Sequence, residues 1–386
     1  MRGNRLFRFI DVFVGIPLCF ILSVCGRLFG RGGGLNRQIN SILIVKLSAL
    51  GDTVLLMPVL RALKRQYPQA RIVFVCSSVN RDIVLSCPYV TQTIELEVPK
   101  IMKRPGYLIK FIAGLRGNDF NLSIDADQWL RISSLLCFLS GVKQRIGFKT
   151  PGQYKHFLFT QAVPHSRDKH EIECFFDLLG SLNIKIKPQD KCLEFPVSDE
   201  AMETAKIILG GIGIEEHVPF VILHPEVPAH GKQRALPGKH WAAIIEHIRN
   251  KGTHKILLTG TGEAGVQIQK IKEMLNEGIA KEIYALVDVP VGIFAAVIRR
   301  SKLVVCPNTG VMHLACAVGT PVVGLHGPTD SVKWGPYSQR AVSIKSKLPC
   351  SPCLYLGYEY KCSRNRCMES IEPQEIFSGI DFCMNL

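Results

Sequence analysis

The chain has 386 residues, of which 47% are hydrophobic and 20% charged, and its formal net charge is +15 at pH 7. One hydrophobic core rarely serves so long a chain, so we expect two α/β domains. The composition is typical of a globular protein and excludes intrinsic disorder. The positive charge suits an anionic membrane or a phosphorylated substrate. No compact run of Lys and Arg with interleaved aromatic residues indicates a nucleic-acid partner.

The N-terminal segment, residues 1–38, begins with an apolar run at residues 9–25 that contains Asp11 and Pro17. This run is short for a membrane-spanning helix, and no small-residue cleavage site follows it, which argues against a secretion signal. The flanking cations are Arg2, Arg5, Arg8, Arg27, Arg31 and Arg37. We therefore expect the segment to lie in, or dip into, the cytoplasmic leaflet, before a flexible linker at residues 31–36. A helix that covers the core or swaps between copies is the alternative.

From Ser41 onward, short β-branched runs alternate with helical periods, a pattern typical of a parallel sheet with crossover helices. The predicted strands of the first half are 41–47, 71–76, 91–96, 120–126 and 144–148, and its predicted helices include 53–68 and 127–141. The polar connection at residues 183–200 contains prolines and has no period. We place the domain boundary there, with the first Rossmann-like domain at residues 39–200.

The second half repeats the alternation and predicts a second Rossmann-like domain at residues 201–348, followed by a Cys-rich tail at residues 349–386. Its predicted strands are 219–226, 254–260, 282–286, 301–308 and 320–327, and its predicted helices are 237–252, 263–278 and 289–300. Ligands of parallel α/β sheets bind at the carboxyl ends of the strands. The loops that follow the strands are therefore where we expect functional residues.

In the first domain, Asp52 follows Gly51 directly after the first predicted strand. A carboxylate there could accept a proton from an attacking hydroxyl, although Asp is also a preferred helix N-cap. Lys46 could hold a phosphate or carboxylate, or extend from the strand end to solvent. Arg131 and Arg145 flank the next loops, either as ligand-binding groups or as ordinary surface cations.

In the second domain, a long loop with several cations at residues 224–241 enters a helix at Pro237 or Gly238. The free N–H groups and the dipole of a helix N-terminus attract anions, and Lys239 adds a full charge at this one. The arrangement suits a diphosphate group.

The turn NTGVMH at residues 308–313 has the same character. We expect Asn308 to cap the following helix, while Thr309 and Gly310 expose backbone N–H groups with little steric obstruction. His313 lies one helical turn further on. It is either a packing or capping residue or an acid.

The 14 cysteines are mostly scattered through predicted strands and helices, a usage that fits a reducing compartment. Four in the tail form a CxxC followed by a CxxxxC, namely Cys350, Cys353, Cys362 and Cys367. This spacing allows a tetrahedral structural zinc site. Unligated thiols and disulfides are the alternatives, and no cofactor for the chemistry itself is indicated.

Three spaced motifs together resemble glycosyltransferase family 9, the lipopolysaccharide heptosyltransferases and their relatives. They are SALGDTVLLMPVLRAL, the KHW helix start and NTGVMHLACAVGTPVVGLHGPTDSVKWGPY, and the resemblance covers roughly residues 41–375. It implies a GT-B fold, in which two Rossmann-like domains face each other across a cleft. The N-terminal domain then binds the acceptor and the C-terminal domain binds the nucleotide sugar.

The resemblance also implies roles for individual residues. Asp52 corresponds to the catalytic base, and Lys239, supported by Trp241, to the phosphate-binding lysine. The nucleotide-binding residues of the turn are then Asn308, Thr309, Gly310 and His313. Among the basic residues expected to contact an acidic acceptor sugar, Arg131 has the favoured position, and the others are Lys46 and Arg145.

The implied reaction is the inverting transfer of a heptose or related sugar from a nucleotide diphosphate, with ADP-heptose expected as the donor. The expected acceptor is a lipid-linked oligosaccharide of the lipopolysaccharide core. The enzyme would then be cytoplasmic and peripherally bound to the inner membrane. Two departures affect the donor side: relatives usually carry Asp at Asn308, and HPEVPAH at residues 224–230 replaces a Pro-Gly-Ala type of sequence. A non-catalytic nucleotide-sugar-binding scaffold at the membrane is the alternative.

Overall fold

The computed structural model describes residues 4–29, 38–252, 254–357, 359 and 362–385. The chain divides into two compact units, Met1–Cys192 and Leu193–Leu386. Their border lies within the connection at residues 183–200, for which the sequence predicts no regular element. The linker predicted at residues 31–36, together with Arg2, Arg31 and Arg37, lies outside the described residues.

The first unit is built on a parallel six-stranded sheet. Its strands are β1 Ser41–Val45, β2 Arg71–Cys76, β3 Gln92–Glu95, β4 Leu122–Asp125, β5 Gln144–Lys149 and β6 Gln161–Pro164. Its helices are α1 Arg5–Phe13, α2 Gly15–Phe29, α3 Leu50–Gln66, α4 Arg81–Leu85, α5 Val98–Lys103, α6 Pro105–Arg116, α7 Arg131–Leu139 and α8 Glu171–Asp177. The strand order is β3-β2-β1-β4-β5-β6. Every residue of the central strand β1 is buried, as expected for a strand covered on both faces.

The second unit has the same architecture. Its strands are β7 Phe220–Leu223, β8 Lys255–Gly260, β9 Ile283–Val287, β10 Leu303–Pro307, β11 Val322–His326 and β12 Ala341–Lys345, in the order β12-β11-β10-β7-β8-β9. Its helices are α9 Asp199–Gly211, α10 Gly238–Lys251, α11 Gly265–Glu273, α12 Glu277–Lys281, α13 Val291–Arg300, α14 Gly310–Ala317, α15 Ser331–Trp334, α16 Arg366–Glu369 and α17 Pro373–Met384. The two parallel sheets confirm the predicted α/β class.

In each sheet the strand order reverses at one point. In the first unit β1 lies between β2 and β4, and in the second unit β7 lies between β8 and β10. Crossovers that leave such a point in opposite directions open a crevice outside the carboxyl ends of the strands. The loops that follow β1 and β4, and those that follow β7 and β10, are therefore positioned to bind ligands.

The N-terminal apolar run is helical, as α1 and α2, with an interruption at Val14. Pro17 has no N–H to donate to the carbonyl of Phe13, which accounts for the break. Residues Leu6–Gly26 form a 21-residue stretch, and an 18-residue window within it has a mean hydropathy of 2.2, so the stretch is long and apolar enough to cross a membrane by length and composition. Only 22% of that window is buried in the protein.

The sequence prediction differs from the structure at three places. The strands β6 and β12 are edge strands with mixed exposure, so they lack the continuous apolar run that revealed the others. The helix predicted at residues 127–141 begins only at Arg131, because residues 127–130 form a loop. The predicted tail is part of the second unit, since Ile376, Ile380 and Cys383 of α17 are buried in its core.

Candidate functional site

Asp52 lies in the first turn of α3, and the N-cap of this helix is Ala49. Ala49 has a φ of 64°, a value that residues other than glycine seldom adopt and that is often found at functional sites. The Asp52 side chain is 8% exposed, and its Oδ2 accepts hydrogen bonds from Lys46 Nζ and Gln128 Nε2, both at 3.3 Å. The structure thus holds this carboxylate by two donors at the carboxyl end of β1.

Lys46 is fully buried at the end of β1. Its Nζ lies 3.3 Å from Asp127 Oδ1 and donates to Gln128 Oε1 at 3.0 Å, in addition to its contact with Asp52. An ammonium group can be buried only where charged partners offset the loss of its hydration. Lys46 therefore joins the loops after β1 and β4 across the point where the strand order reverses.

Further buried polar groups extend this arrangement. Gln128 Nε2 also donates to Glu171 Oε1 at 2.9 Å, so one amide contacts the carboxylates of both Asp52 and Glu171. The other oxygen of Glu171 lies 3.1 Å from His165 Nε2, and His165 Nδ1 is hydrogen-bonded to Thr150 Oγ1 at 3.3 Å. Among the described residues, only His165, Glu171 and Cys174 form a compact group of metal-binding donors, and the direct hydrogen bond between the first two already satisfies their facing atoms.

A second buried ion pair fixes the loop that carries Asp127. Lys155 Nζ lies 2.8 Å from Asp125 Oδ2 and donates to the carbonyl oxygen of Asp127 at 2.5 Å. Burial raises the pKa of Asp125 to about 6, with Lys155 opposing this effect and the charge of Asp127 adding to it. The loop is therefore held from both sides, by Lys46 and by Lys155.

The sequence analysis did not single out Asp127, Gln128, His165 or Glu171. The run DADQ at the end of a predicted strand was a usable signal for the first two, because ligand-binding residues follow strands. His165 and Glu171 lie in segments remote from that strand, and only the fold brings them to Gln128. The sequence contained no local signal for them.

Arg131 and Arg145 are not ordinary surface cations. Arg131 Nη1 forms a buried ion pair with Asp11 Oδ2 at 3.1 Å, and its Nε donates to the carbonyl oxygen of Gln153 at 3.0 Å. Arg145 Nε donates to the carbonyl oxygen of Leu158 at 2.7 Å. Both guanidinium groups thus bind the protein itself. Acceptor contacts by these two arginines, and by the buried lysine after β1, stay predictions.

In the second unit, the turn after β10 is tied to two other segments. The carbonyl oxygen of Asn308 accepts a hydrogen bond from Arg234 Nη1 at 2.8 Å, and the Asn308 Nδ2 donates to the carbonyl oxygen of Trp334 at 2.5 Å. A carboxylate at this position would face that carbonyl without a proton to donate. The hydrogen bond to Trp334 is therefore a structural reason for asparagine rather than aspartate at position 308.

Thr309 is the N-cap of α14, and its side chain makes no capping hydrogen bond. Its hydroxyl oxygen is buried and has no hydrogen-bond partner within the part of the chain that the structure describes. Gly310 begins α14, whose first N–H groups have no partners inside the helix. His313 is 4% exposed and lies in the next turn. The turn therefore offers donors to an anion.

Lys239 is the second residue of α10, whose N-cap is Pro237, and its side chain is exposed. Trp241 is fully buried in the core of the second unit, two residues later. The indole therefore anchors the beginning of α10, while the lysine remains at the helix N-terminus, where the dipole also favours an anion.

Residues 108–363 match the sequence profile of glycosyltransferase family 9 (heptosyltransferase). The chain belongs to this family. It is 24% identical over 318 residues to lipopolysaccharide heptosyltransferase 3 of Escherichia coli K12, covering 76% of this chain and 84% of the relative. It is 22% identical over 369 residues to lipopolysaccharide heptosyltransferase 1 of Pseudomonas aeruginosa, covering 88% and 97%.

Among solved structures, the chain resembles the ADP-heptose lps heptosyltransferase II of E. coli, with a TM-score of 0.71 at 20% identity. The match covers 89% of this chain and 98% of that one. The architecture is therefore that of the GT-B class, as the sequence resemblance implied. Family membership makes the protein a glycosyltransferase.

The contact of Asn308 with Trp334 generates a stability prediction. The Asn308→Asp variant should lose about 1–3 kcal/mol of unfolding free energy, because a buried acceptor would replace the amide donor. Chemical denaturation measures the change. The matched control is Asn276→Asp, because the Asn276 Oδ1 only accepts a hydrogen bond, from the N–H of Ile279. Equal stability of the two variants would contradict this account of Asn308.

Acid should destabilise the second unit through His224, which lies directly after β7 and contacts Thr259 Oγ1 at 3.0 Å. Burial lowers the pKa of His224 to about 4, whereas an unfolded histidine titrates near pH 6.5. The neutral His224 contributes fully to the free energy of unfolding above pH 6.5. This contribution is lost as the pH falls toward 4, because the unfolded state binds a proton at a higher pH than the folded state does. We expect a loss of about 2 kcal/mol between pH 7.5 and 5 from this residue.

The measurement is chemical denaturation at both pH values. The His224→Gln variant should lose this part of the pH dependence, while His217→Gln, at an exposed position, should retain it. An unchanged pH dependence in His224→Gln would show that the buried imidazole is not the cause.

Proposed function

We propose that this glycosyltransferase transfers a heptose, with inversion, from ADP-heptose to an acceptor of the lipopolysaccharide core at the cytoplasmic face of the inner membrane. The names of its relatives support the sugar and the acceptor, and the name of the solved relative supports the donor. The single observation that carries the proposal is the position of Asp52 at the carboxyl end of β1, held by Lys46 and Gln128.

Asp52 would act as the general base. It accepts the proton of an acceptor hydroxyl while that oxygen attacks the anomeric carbon of the donor. The bond between the anomeric carbon and the diphosphate oxygen breaks on the opposite face of the sugar, so the anomeric configuration inverts. Lys46 and Gln128 hold the carboxylate in one orientation, and this restricts the geometry of proton transfer.

The diphosphate that leaves carries additional negative charge. The beginning of α14, with the buried hydroxyl of Thr309 and the N–H of Gly310, offers hydrogen-bond donors to such a group. Lys239 at the start of α10 offers a positive charge. Preorganised donors of this kind stabilise developing charge without reorganisation during the reaction. No cofactor is needed for this chemistry.

The membrane association of the enzyme is part of the same proposal. The net charge of +15 favours an anionic surface, and the stretch Leu6–Gly26 is mostly unburied and strongly apolar. An acceptor that is anchored in lipid is presented at such a surface.

The Asp52→Asn variant should lose transfer by about 10²-fold or more, because the amide cannot take up the proton. Donor binding should persist, seen as an unchanged thermal shift with ADP-heptose and no comparable shift with UDP- or GDP-sugars. Asp82→Asn, at an exposed carboxylate of α4, is the matched control and should remain active. Transfer by Asp52→Asn near the normal rate would refute the base assignment.

We also propose a structural zinc ion at the four tail cysteines, which are free thiols in the structure. Burial raises the pKa of Cys367 to about 11, and the nearby charges of Cys353 and Cys362 add to this effect. Zinc would bind these sulfur atoms as thiolates, so each thiol would have to release its proton. The four sulfur atoms form no compact donor group among the described residues, so binding would also have to draw them together. Cys350, Cys353, Cys362 and Cys367 would hold the ion, away from the transfer chemistry.

Elemental analysis of the purified protein tests this proposal. We expect one zinc per chain, lost in a Cys353→Ser, Cys367→Ser double variant and retained in Cys192→Ser, an exposed cysteine outside the tail. Removal of the metal by a chelator should lower the unfolding temperature of the normal protein only. A protein that is fully active and free of zinc would refute the site.

A further inference from the structure

We propose that the N-terminal helices α1 and α2 form a monotopic anchor, locked to the first unit and lying in a single leaflet of an anionic phospholipid bilayer. This deepens the membrane association proposed above, because it decides between lying on the bilayer and crossing it. Length and composition alone would allow a crossing. Two features of the structure argue against a crossing, and a third shows that the helices need an apolar partner.

The first feature is the position of Asp11, which is 6% exposed within the apolar stretch. Its Oδ2 forms the ion pair with Arg131 Nη1, and its Oδ1 accepts hydrogen bonds from the N–H groups of Arg131 at 3.0 Å and Ile132 at 3.2 Å. The carboxylate thus caps the beginning of α7, where free N–H groups and the helix dipole favour an anion. A helix that crossed the bilayer would break all these contacts and carry an unpaired carboxylate into lipid.

The second feature is the close packing of α2 on α7. A Cβ added at Gly15 would lie 2.9 Å from the Cβ of Arg131, and one added at Gly26 would lie 3.0 Å from the ring of Phe138. Between them, Cys19 is fully buried. Spacings of four and seven residues place these three small residues on one face of the helix. The length of α2 therefore lies against the first unit rather than projecting from it.

The third feature is the opposite face, which is apolar and uncovered. Six large side chains there are between 41% and 63% exposed, namely Phe9, Phe13, Val14, Phe20, Ile21 and Val24. Soluble proteins rarely leave so continuous an apolar surface in water. An apolar partner therefore has to cover it.

The positive charge of the chain, +15 in all, favours anionic lipid as that partner over a second copy of the chain. Helix α6 contacts α7, as α2 does. On α6 and the residues just before it, Lys103, Arg104 and Lys110 are exposed, and Ile109 is 71% exposed. Apolar side chains interleaved with lysine and arginine match the acyl boundary and the anionic headgroups of one leaflet. A copy of this basic chain would bring like charges together.

The test uses the full-length protein with a protease-cleavable tag at its N-terminus, added to sealed vesicles of phosphatidylcholine and phosphatidylglycerol. We expect the protein to float with the vesicles, and external protease to remove the tag from all molecules. If the tag resisted cleavage until detergent was added, the helix would cross the bilayer and the inference would be overturned.

Substitutions test whether the exposed apolar face of α1 and α2 is the surface that binds the vesicles. Phe13→Lys and Ile21→Lys should each lower vesicle binding about tenfold or more, because each places a charge on the lipid-facing side. Val266→Lys, at a 67% exposed position of the second unit, is the matched control and should bind normally. Asp11→Asn should still bind vesicles but should make residues 4–29 sensitive to protease in the absence of lipid.

Equal vesicle binding by Phe13→Lys and Val266→Lys would overturn the inference. So would a vesicle-free dimer that Phe13→Lys converts to a monomer, since the apolar face would then join two copies. None of these measurements uses sugar transfer. Failure of the proposed reaction and failure of the anchor are therefore distinguishable.

Discussion

The buried ammonium group of Lys46 is the constraint on which the first unit's site depends. It lies where the strand order reverses, and the carboxylates of Asp52 and Asp127 face it and offset the loss of its hydration. The need to neutralise the buried ammonium group therefore explains why the carboxylate of Asp52 and the loop after β4 lie next to each other. Gln128 adds the hydrogen bonds that couple this pair to Glu171. A carboxylate held in this way has little freedom to leave its position.

Neutralisation of a buried charge also explains how the N-terminal helices are attached to the first unit. The sequence predicts that Arg131, the first residue of α7, contacts an acidic acceptor, yet its guanidinium group pairs with Asp11 from the apolar segment. A charge that looks unfavourable inside an apolar run is thus the group that attaches that run to the first unit. The segment is a part of this unit's structure, with one face that packs on protein and one that remains apolar and open.

The candidate site of the second unit is built more from backbone hydrogen-bonding groups than from charged side chains. The turn at Asn308 is held by two hydrogen bonds, one from Arg234 to the Asn308 carbonyl oxygen and one from the Asn308 side chain to the Trp334 carbonyl oxygen. At the start of α14, the hydroxyl of Thr309 has no hydrogen-bond partner among the described residues. A helix start of this kind suits a diphosphate. The family's usual aspartate at this turn would lack the proton that Asn308 donates, so the substitution follows from local packing and carries no argument against activity.

The sequence by itself determined the α/β class, both parallel sheets, the central strands, the apolar N-terminal helix and the family. These follow from hydrophobic periodicity and from motifs that are local in the chain. It also pointed to Asp52, because a residue after a central strand must lie at the ligand edge. Only the tertiary structure decided which partners surround each charge. The pairing of Asp11 with Arg131, and of Gln128 with Glu171, joins residues far apart in sequence. No local pattern encodes such contacts, because burial and charge neutralisation arise only when the segments pack together.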